Sequence, residues 1–210
     1  MLIDIQKVKV FLEQHDIHIN GILHVGAHEC EERSAYNTAL NVKDEDIIWV
    51  DGNDDLTKRN IQRNIPNCYT AVLDESERTT TFNITNNGQS SSILEFGTHE
   101  KNYGWCKVIG KREVQTQTLT NFFSSNNLDP KKYNFWNFDI QGVELQVFRG
   151  SQELLQYADA IYAEVNTEEV YKNCGQLHEI DTLLEKHGLK RIACQMTTEG
   201  WGDALYVRSK

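Results

Sequence analysis

The chain has 210 residues, 39% hydrophobic and 25% charged, with only two prolines, a composition that excludes collagen-like repeats, polar disorder and a long coiled coil. At this length about 70% of the unfolded surface can be buried, so a stable core needs neither disulfide nor metal. The formal charge of −10 argues against a nucleic-acid partner, which wants a basic face, and favours a small neutral or cationic ligand. No apolar run approaches the ~18–20 residues of a membrane span, and the start MLIDIQKVKVF lacks a signal-peptide core, so a cytoplasmic protein without a membrane span is expected.

The chain begins with Ile5, Val8, Phe11 and Leu12 at helical spacing, which predicts an amphipathic helix over Asp4–His15. Gly21 to Val25 reads as a buried strand ending at Gly26. Glu29–Leu40 reads as a helix with Glu29, Glu31 and Glu32 in its first turns, where the macrodipole favours acids. Ile47 to Val50 is a second apolar run with Asp51 at its end. Leu56–Arg63 reads as helical and Cys68–Leu73 as a third strand, followed by Asp74. Thr79–Ile84 alternates like an exposed strand, Asn86–Ser92 is a polar loop, and Val114–Leu119 is a neighbouring strand that gives way to a helix over Thr118–Ser124.

Phe135–Phe138 runs into Asp139 and Gly142, a fourth core strand ending at a carboxylate. Ser151–Gln156 reads as a short helix and Ala158–Val165 as a fifth strand carrying Glu164. Gln176–His187 is amphipathic. Lys190–Cys194 and Ala204–Arg208 are strands joined by a loop too short for a helical crossover, hence an antiparallel edge hairpin. Short apolar runs alternating with helices predict one α/β domain over residues 1–210, a doubly wound, mostly parallel sheet with a helical extension over residues 1–18.

In such sheets ligands sit beyond the carboxyl ends of the strands. Standing there are Gly26-Ala27-His28, Asp51, Asp74, Asp139 and Glu164. Gly26 permits a sharp turn and close approach of a ligand, and Asp51 is placed to accept both hydroxyls of a ribose. GAHECE lacks the later glycines of a dinucleotide fingerprint, and its three glutamates would repel a pyrophosphate. S-adenosylmethionine has a ribose, no phosphate and a positive sulfonium, and suits an acid-ringed turn better than NAD does. Singly, a glycine after a strand is ordinarily a turn and an acid before a helix a cap; their coincidence at consecutive strand ends points to a ligand site.

The five cysteines, Cys30, Cys68, Cys106, Cys174 and Cys194, are odd in number and scattered without a C-x-x-C, which suggests reduced thiols rather than a disulfide framework or a zinc ribbon. His24 and His28 flank a strand end rather than sharing a helix face, so no zinc pair is expected there.

HVGAHECEERSAY, WVDGNDD, NNGQSSSIL, TQTLTNFF, NFDIQGVELQVFRG, AEVN and GWGDALYV resemble, in order and spacing, the blocks of the FkbM family of S-adenosylmethionine-dependent methyltransferases over nearly the whole chain. Two positions depart from the pattern: His24 stands where the wider family usually has Asp, and Gln141 where many members have Glu. The resemblance implies a seven-stranded, Rossmann-like class I methyltransferase fold with an O-methyl acceptor, often a sugar or a natural product. It implies a cofactor site of Gly26, Ala27, His28, Glu32, Asp51, Gly52, Asn53, Asp74, Ser92 and Asp139, with S-adenosylhomocysteine as product.

Removing the acceptor hydroxyl proton needs a general base in reach, and Asp139, Glu164, His99 and His28 are the candidates, Asp139 foremost. Asp139 has a second reading, as a holder of the methionine amino group. Ser91, Glu164, Asn166, Tyr171, Trp201 and Asp203 are the candidate acceptor contacts, aromatic and acidic types suited to a sugar. Asn166 reads equally as a helix cap. Asp139, Glu164 and Asp203 are oxygen donors that a divalent metal would accept, but no spacing rule demands one. The alternatives are O-methylation of a non-sugar small molecule, a non-catalytic S-adenosylmethionine-binding module, and a nucleotide-sugar transferase, the last disfavoured by the shortage of basic residues.

Overall fold

The computed structural model describes residues 1–209. Its main sheet has seven strands, β1 (Ile22–Val25), β2 (Ile47–Asp51), β3 (Cys68–Thr70), β7 (Phe135–Phe138), β8 (Ala160–Asn166), β9 (Leu189–Met196) and β10 (Trp201–Arg208), in the order β3-β2-β1-β7-β8-β10-β9. The first five pair in parallel; β10 lies antiparallel between β8 and β9. Parallel strands are covered on both faces and therefore read as unbroken apolar runs. Alternate residues divide between the faces: Leu23, Val25, Ile48 and Phe138 join one core cluster, Ile22, Ile47, Trp49 and Phe135 the other.

Helices α1 (Ile5–Gln14) and α2 (Arg33–Ala39) cover the second face through Val8, Leu12 and Tyr36. Helices α5 (Leu119–Ser125), α6 (Glu144–Gly150) and α7 (Leu177–Lys186) cover the first through Phe122, Phe148, Ile180 and Leu184. Asp4 caps α1 by accepting from the Gln6 N–H, and Gln176 with Glu179 forms a reciprocal capping box at α7, which marks both starts in the sequence. Helix α3 (Asp54–Gln62) follows β2 with Asn53 as its cap. A second sheet of β4 (Val72–Leu73), β5 (Thr79–Thr85) and β6 (Val108–Gln117) has the order β4-β6-β5, and α4 (His99–Asn102) lies between β5 and β6. No helix among the described residues is long and apolar enough to cross a membrane.

Four expectations are corrected. The helix expected from Glu29 begins at Arg33, because His28 and Cys30 have left-handed φ of 42° and 57° and no helix propagates through such residues; the three glutamates thus precede the helix. The strand expected over Cys68–Leu73 breaks at Ala71, whose N–H donates to the Asp51 carbonyl at 3.0 Å, and β4 leaves for the second sheet. The short helix after Ser151 is a 3-10 turn over Gln152–Tyr157, and the full α6 precedes it. The exposed strand expected to start at Val114 starts at Val108.

Where β1 ends, the chain passes very close to β7. Gly26 has φ of +87°, and a Cβ there would lie 1.7 Å from the Asp139 carbonyl oxygen; the Asp139 N–H donates to Val25 at 2.9 Å. Gly26→Ala is therefore expected to destabilise the fold by about 3 kcal/mol through overpacking and backbone strain. By calorimetry that is a Tm lower by roughly 6–12 °C for a chain of this size, and a Tm within about 2 °C of the parent would contradict the close approach.

Candidate active site

Two cavities meet at the carboxyl edge of the sheet. The larger measures about 390 Å³ and the smaller, a narrow slot, about 60 Å³. Gly26, His28, Gln89 and Asp139 line both, so the turn after β1 and the end of β7 form the wall between them.

The slot is bounded by Val72, Phe82, Ile140 and Val143, with Asp51 and the shared Asp139 as its acids. Asp51 Oδ1 accepts the Asn53 N–H and Oδ2 the His28 N–H, each at 2.7 Å. Burial raises the Asp51 pKa, opposed by those two backbone bonds. Each carboxylate oxygen keeps a further lone pair. A Cβ at Gly52 would meet the Phe82 ring at 2.9 Å, so glycine keeps the slot open at that wall. Apolar walls with the Asp51 carboxylate at the edge fit the adenosine of S-adenosylmethionine. Ser91 and Ser92 also line this slot; the Ser92 hydroxyl donates to the Gln141 carbonyl at 2.9 Å and the Ser91 hydroxyl to Gly88 at 2.8 Å.

In the turn after β1, His28 Nδ1 and Glu31 Oε1 pair at 2.6 Å. The Glu31 hydrogen bond raises the His28 pKa. Burial opposes ionisation of Glu31, but the His28 hydrogen bond and backbone N–H groups bring it down to about 2. Glu29 faces outward toward Arg59 and Arg63 at 3.7 and 3.6 Å. Glu32 lines the large cavity.

The large cavity gathers acids from three strands: Asp139 after β7, Glu164 on β8, and Asp203, which stands across from Glu164 in the β8–β10 pairing. Gln141 Nε2 donates to Asp139 Oδ1 at 2.5 Å and to Glu164 Oε2 at 2.7 Å, and the Tyr171 hydroxyl donates to Gln141 Oε1 at 2.5 Å. Glu144 lies buried at the start of α6, its Oε1 accepting the Ile140 N–H at 2.8 Å and its Oε2 without a partner. Burial pushes Glu144 up to about 8. Burial, then the charges of Asp139 and Glu144, hold Glu164 well above the usual carboxylate range. Asp203 accepts from the Tyr162 hydroxyl and the Leu2 N–H, and burial raises it too.

The remaining wall is aromatic. Trp201 Nε1 donates to the Tyr103 hydroxyl at 2.8 Å; Trp105 stands at the rim, 63% exposed. His99 stacks on Phe96 with centroids 4.3 Å apart, its Nδ1 buried and unpartnered, and burial lowers its pKa. His24 is neutral for the same reason. The Asn137 amide donates to the Tyr36 hydroxyl at 2.6 Å, leaving that hydroxyl to donate to His24 Nδ1 at 3.0 Å.

Most of the residues singled out in the sequence converge here, but five sit elsewhere than expected. Ala27 packs into the core and Asn53 caps α3. Asp74 lines neither cavity; it accepts from Arg78 Nε at 2.7 Å, because the chain has left the main sheet before reaching it. Asn166 is fully buried with both side-chain polar atoms unpartnered, outside either cavity and not a helix cap. Ser91 lies on the slot rather than in the large cavity. Tyr171 is 1% exposed and offers the cavity its hydroxyl, not its ring face. Sequence reasoning missed Gln141, Glu144, His24, Tyr103 and Trp105 as site residues; only the left-handed Gln141-Gly142 pair leaves a local trace, the Q-G dipeptide after the strand. Among the described residues no group of three or more His, Cys, Asp or Glu is arranged to hold a metal ion.

Of the three cavity histidines, His28 and His99 are expected to titrate on opposite sides of the usual value near 6.5. His28, raised by Glu31, holds its proton above that pH; the stability it contributes is complete below 6.5 and is lost as pH rises through its folded value. His99, lowered by burial, is neutral at pH 6.5 and loses stability as pH falls below it. Histidine NMR titration tests the order, and Glu31→Gln is expected to move His28 down while leaving His99 in place. A His99 that protonates before His28 on acidification overturns this reading of the site.

Residues 24–190 match the methyltransferase FkbM domain, a stretch running from within β1 to the start of β9. No curated protein matches the chain. Among solved structures it is similar to the methyltransferase FkbM of Methylobacillus flagellatus KT at 10% identity and a TM-score of 0.49, covering 90% of this chain and 43% of that one, so this chain spans less than half of that relative. It is similar to a putative sarcosine dimethylglycine methyltransferase from Galdieria sulphuraria at 11% identity and a TM-score of 0.48, covering 97% and 84%. It is also similar to the magnesium protoporphyrin IX methyltransferase of Synechocystis PCC 6803, solved with S-adenosylmethionine, at 10% identity and a TM-score of 0.42, covering 98% and 78%. The chain belongs to the FkbM methyltransferase family and is an S-adenosylmethionine-dependent methyltransferase.

Proposed function

We propose that the protein methylates a hydroxyl of a sugar or glycan. The observation that carries this reading is the mixed wall of the large cavity: Tyr103, Trp105 and Trp201 beside Glu164 and Asp203, with no Lys or Arg among its lining residues. Aromatic faces take the C–H faces of a pyranose and carboxyl groups take its hydroxyls, while a phosphorylated or carboxylated acceptor would find no lysine or arginine.

Asp51 holds the ribose, and Gly26, His28 and Glu32 surround the methionine portion. S-adenosylmethionine supplies an electrophilic methyl group and departs as S-adenosylhomocysteine. The work left to the chain is orientation and proton removal. Asp139, at the junction of the two cavities, accepts the hydroxyl proton as the oxygen bonds to the incoming methyl. Glu164, beside it on β8, holds the acceptor's hydroxyls.

Two substitutions separate these roles. Asp51→Ala is expected to weaken S-adenosylhomocysteine binding by about 10–100-fold in calorimetry, the loss of one or two charge-assisted hydrogen bonds, with the acceptor KM little changed; equal loss of both would remove the ribose assignment. Asp139→Asn keeps an oxygen for the Gln141 amide, and is expected to retain product affinity while kcat falls about 10²–10⁴-fold. Turnover within a few-fold of the parent would remove Asp139 as the base. A screen of neutral sugars, glycans and aromatic alcohols with labelled methyl donor tests the acceptor class, and methylation confined to the non-sugar alcohols would overturn it.

A further inference from the structure

The Gln141 side chain bonds three residues of the large cavity, Asp139, Glu164 and Tyr171, yet it has no acid-base chemistry of its own. A carboxamide offers two N–H donors at one end and an acceptor oxygen at the other. Both ends are engaged: Nε2 on Asp139 and Glu164 at 2.5 and 2.7 Å, Oε1 under the Tyr171 hydroxyl at 2.5 Å. Tyr171 thereby fixes which end of the amide faces the acids. The backbone is held as well, with a left-handed φ of 58° and the Ser92 hydroxyl on the Gln141 carbonyl at 2.9 Å.

We propose that Gln141 is a positioning residue for methyl transfer, its carboxamide clamping Asp139 Oδ1 and Glu164 Oε2 so that Asp139 Oδ2 is the oxygen presented to the acceptor hydroxyl. The role rests on the reading of Asp139 as the base. Other side chains of this length would act differently. A lysine would neutralise Asp139 and weaken it as a base. A glutamate would add a third acid with nothing to donate, and a methionine would leave two acids to swing apart. The amide holds both acids without adding charge. The groups facing the pair are Glu144 from α6, Asp203 from β10, His24 on β1, Tyr36 from α2 and Tyr171. Only His24 among them is a base, and burial lowers its pKa.

The test compares Gln141→Glu and Gln141→Met with the parent. For both variants kcat at neutral pH is expected to fall at least about tenfold, with S-adenosylhomocysteine Kd and acceptor KM within about threefold of the parent. The acidic limb of the kcat profile is expected to move to higher pH by about one unit in Gln141→Glu, because a third carboxyl disfavours ionisation of the pair. Superimposed profiles, or a loss confined to product binding or Tm, overturn the clamp. An infrared titration of the protonated carboxyl band requires no acceptor, and the band is expected to persist to higher pH in Gln141→Glu. An unchanged band overturns the clamp whatever the acceptor. A shifted band in a parent that methylates no sugar supports the clamp and overturns the acceptor reading alone.

Discussion

The carbonyl oxygen of Asp139 occupies the place where a side chain at position 26 would begin, and the geometry of the site follows from that contact. Because β1 can end only in glycine, the chain turns there at once, and the Gly26 and Ala27 N–H groups both reach the Val50 carbonyl, at 2.9 and 3.0 Å. That fastens β1 to β2 as firmly as the Asp139 N–H fastens it to β7. His28 then hangs over one side of the junction and the Asp139 carboxylate over the other, which is why the two residues line both cavities. Adjacent strands lie ~5 Å apart, so the carboxylates at their ends come close enough to share a proton without any loop having to bring them together.

The turns on either side of the junction are strained. His28, Cys30 and Gln141 all have left-handed φ, a conformation that costs non-glycine residues about 1 kcal/mol or more each. Each is over-determined by its neighbours. The His28 N–H is taken by Asp51 and its carbonyl by the Asn60 amide at 2.8 Å; the Cys30 N–H reaches Ala27 at 2.7 Å. Hydrogen bonds of this kind return ~1 kcal/mol apiece, which balances the strain and leaves the site rigid rather than destabilised. The strained residues stand at the carboxyl edge of the sheet, where orientation matters most.

The same facts decide what could be read from the sequence. The strands were legible because a doubly covered strand is an unbroken apolar run, and Asp51, Asp139 and Glu164 were legible because each interrupts or ends such a run. Asp74 has the same signature, and misleads: the chain departs the main sheet at Ala71, a break set by the hydrogen bond to Asp51 rather than by any local residue. The helix expected from Glu29 fails because amphipathic periodicity does not register left-handed backbone at His28 and Cys30. Glu144 reads as an ordinary first-turn acid of α6 until its burial is known. Leu2, whose N–H reaches Asp203 from the other end of the chain, has no local signal at all. Gln141 was visible as a departure from the family's pattern, but its contacts depend on Tyr171 and Glu164, which only the fold brings together.

The acids at the sheet's edge cannot be there for stability. Asp139, Glu144, Glu164 and Asp203 interact with one another, and no arginine or lysine lines their cavity. For Glu144 the folded value near 8 lies above the unfolded one. Its proton is therefore retained on folding and released on unfolding, and its contribution to stability falls as pH rises from the usual carboxylate value toward 8. Replacing such groups with apolar residues of the same shape is the ordinary route to a more stable core. Asp139 stands at the junction of the two cavities, and Glu164 and Asp203 line the larger one beside it. A sulfonium donor is a cation, and carboxylates beside its site attract it. Binding then replaces repulsion among the acids with attraction to the ligand. The Gln141 amide holds Glu164 in register with the Asp139 carboxylate.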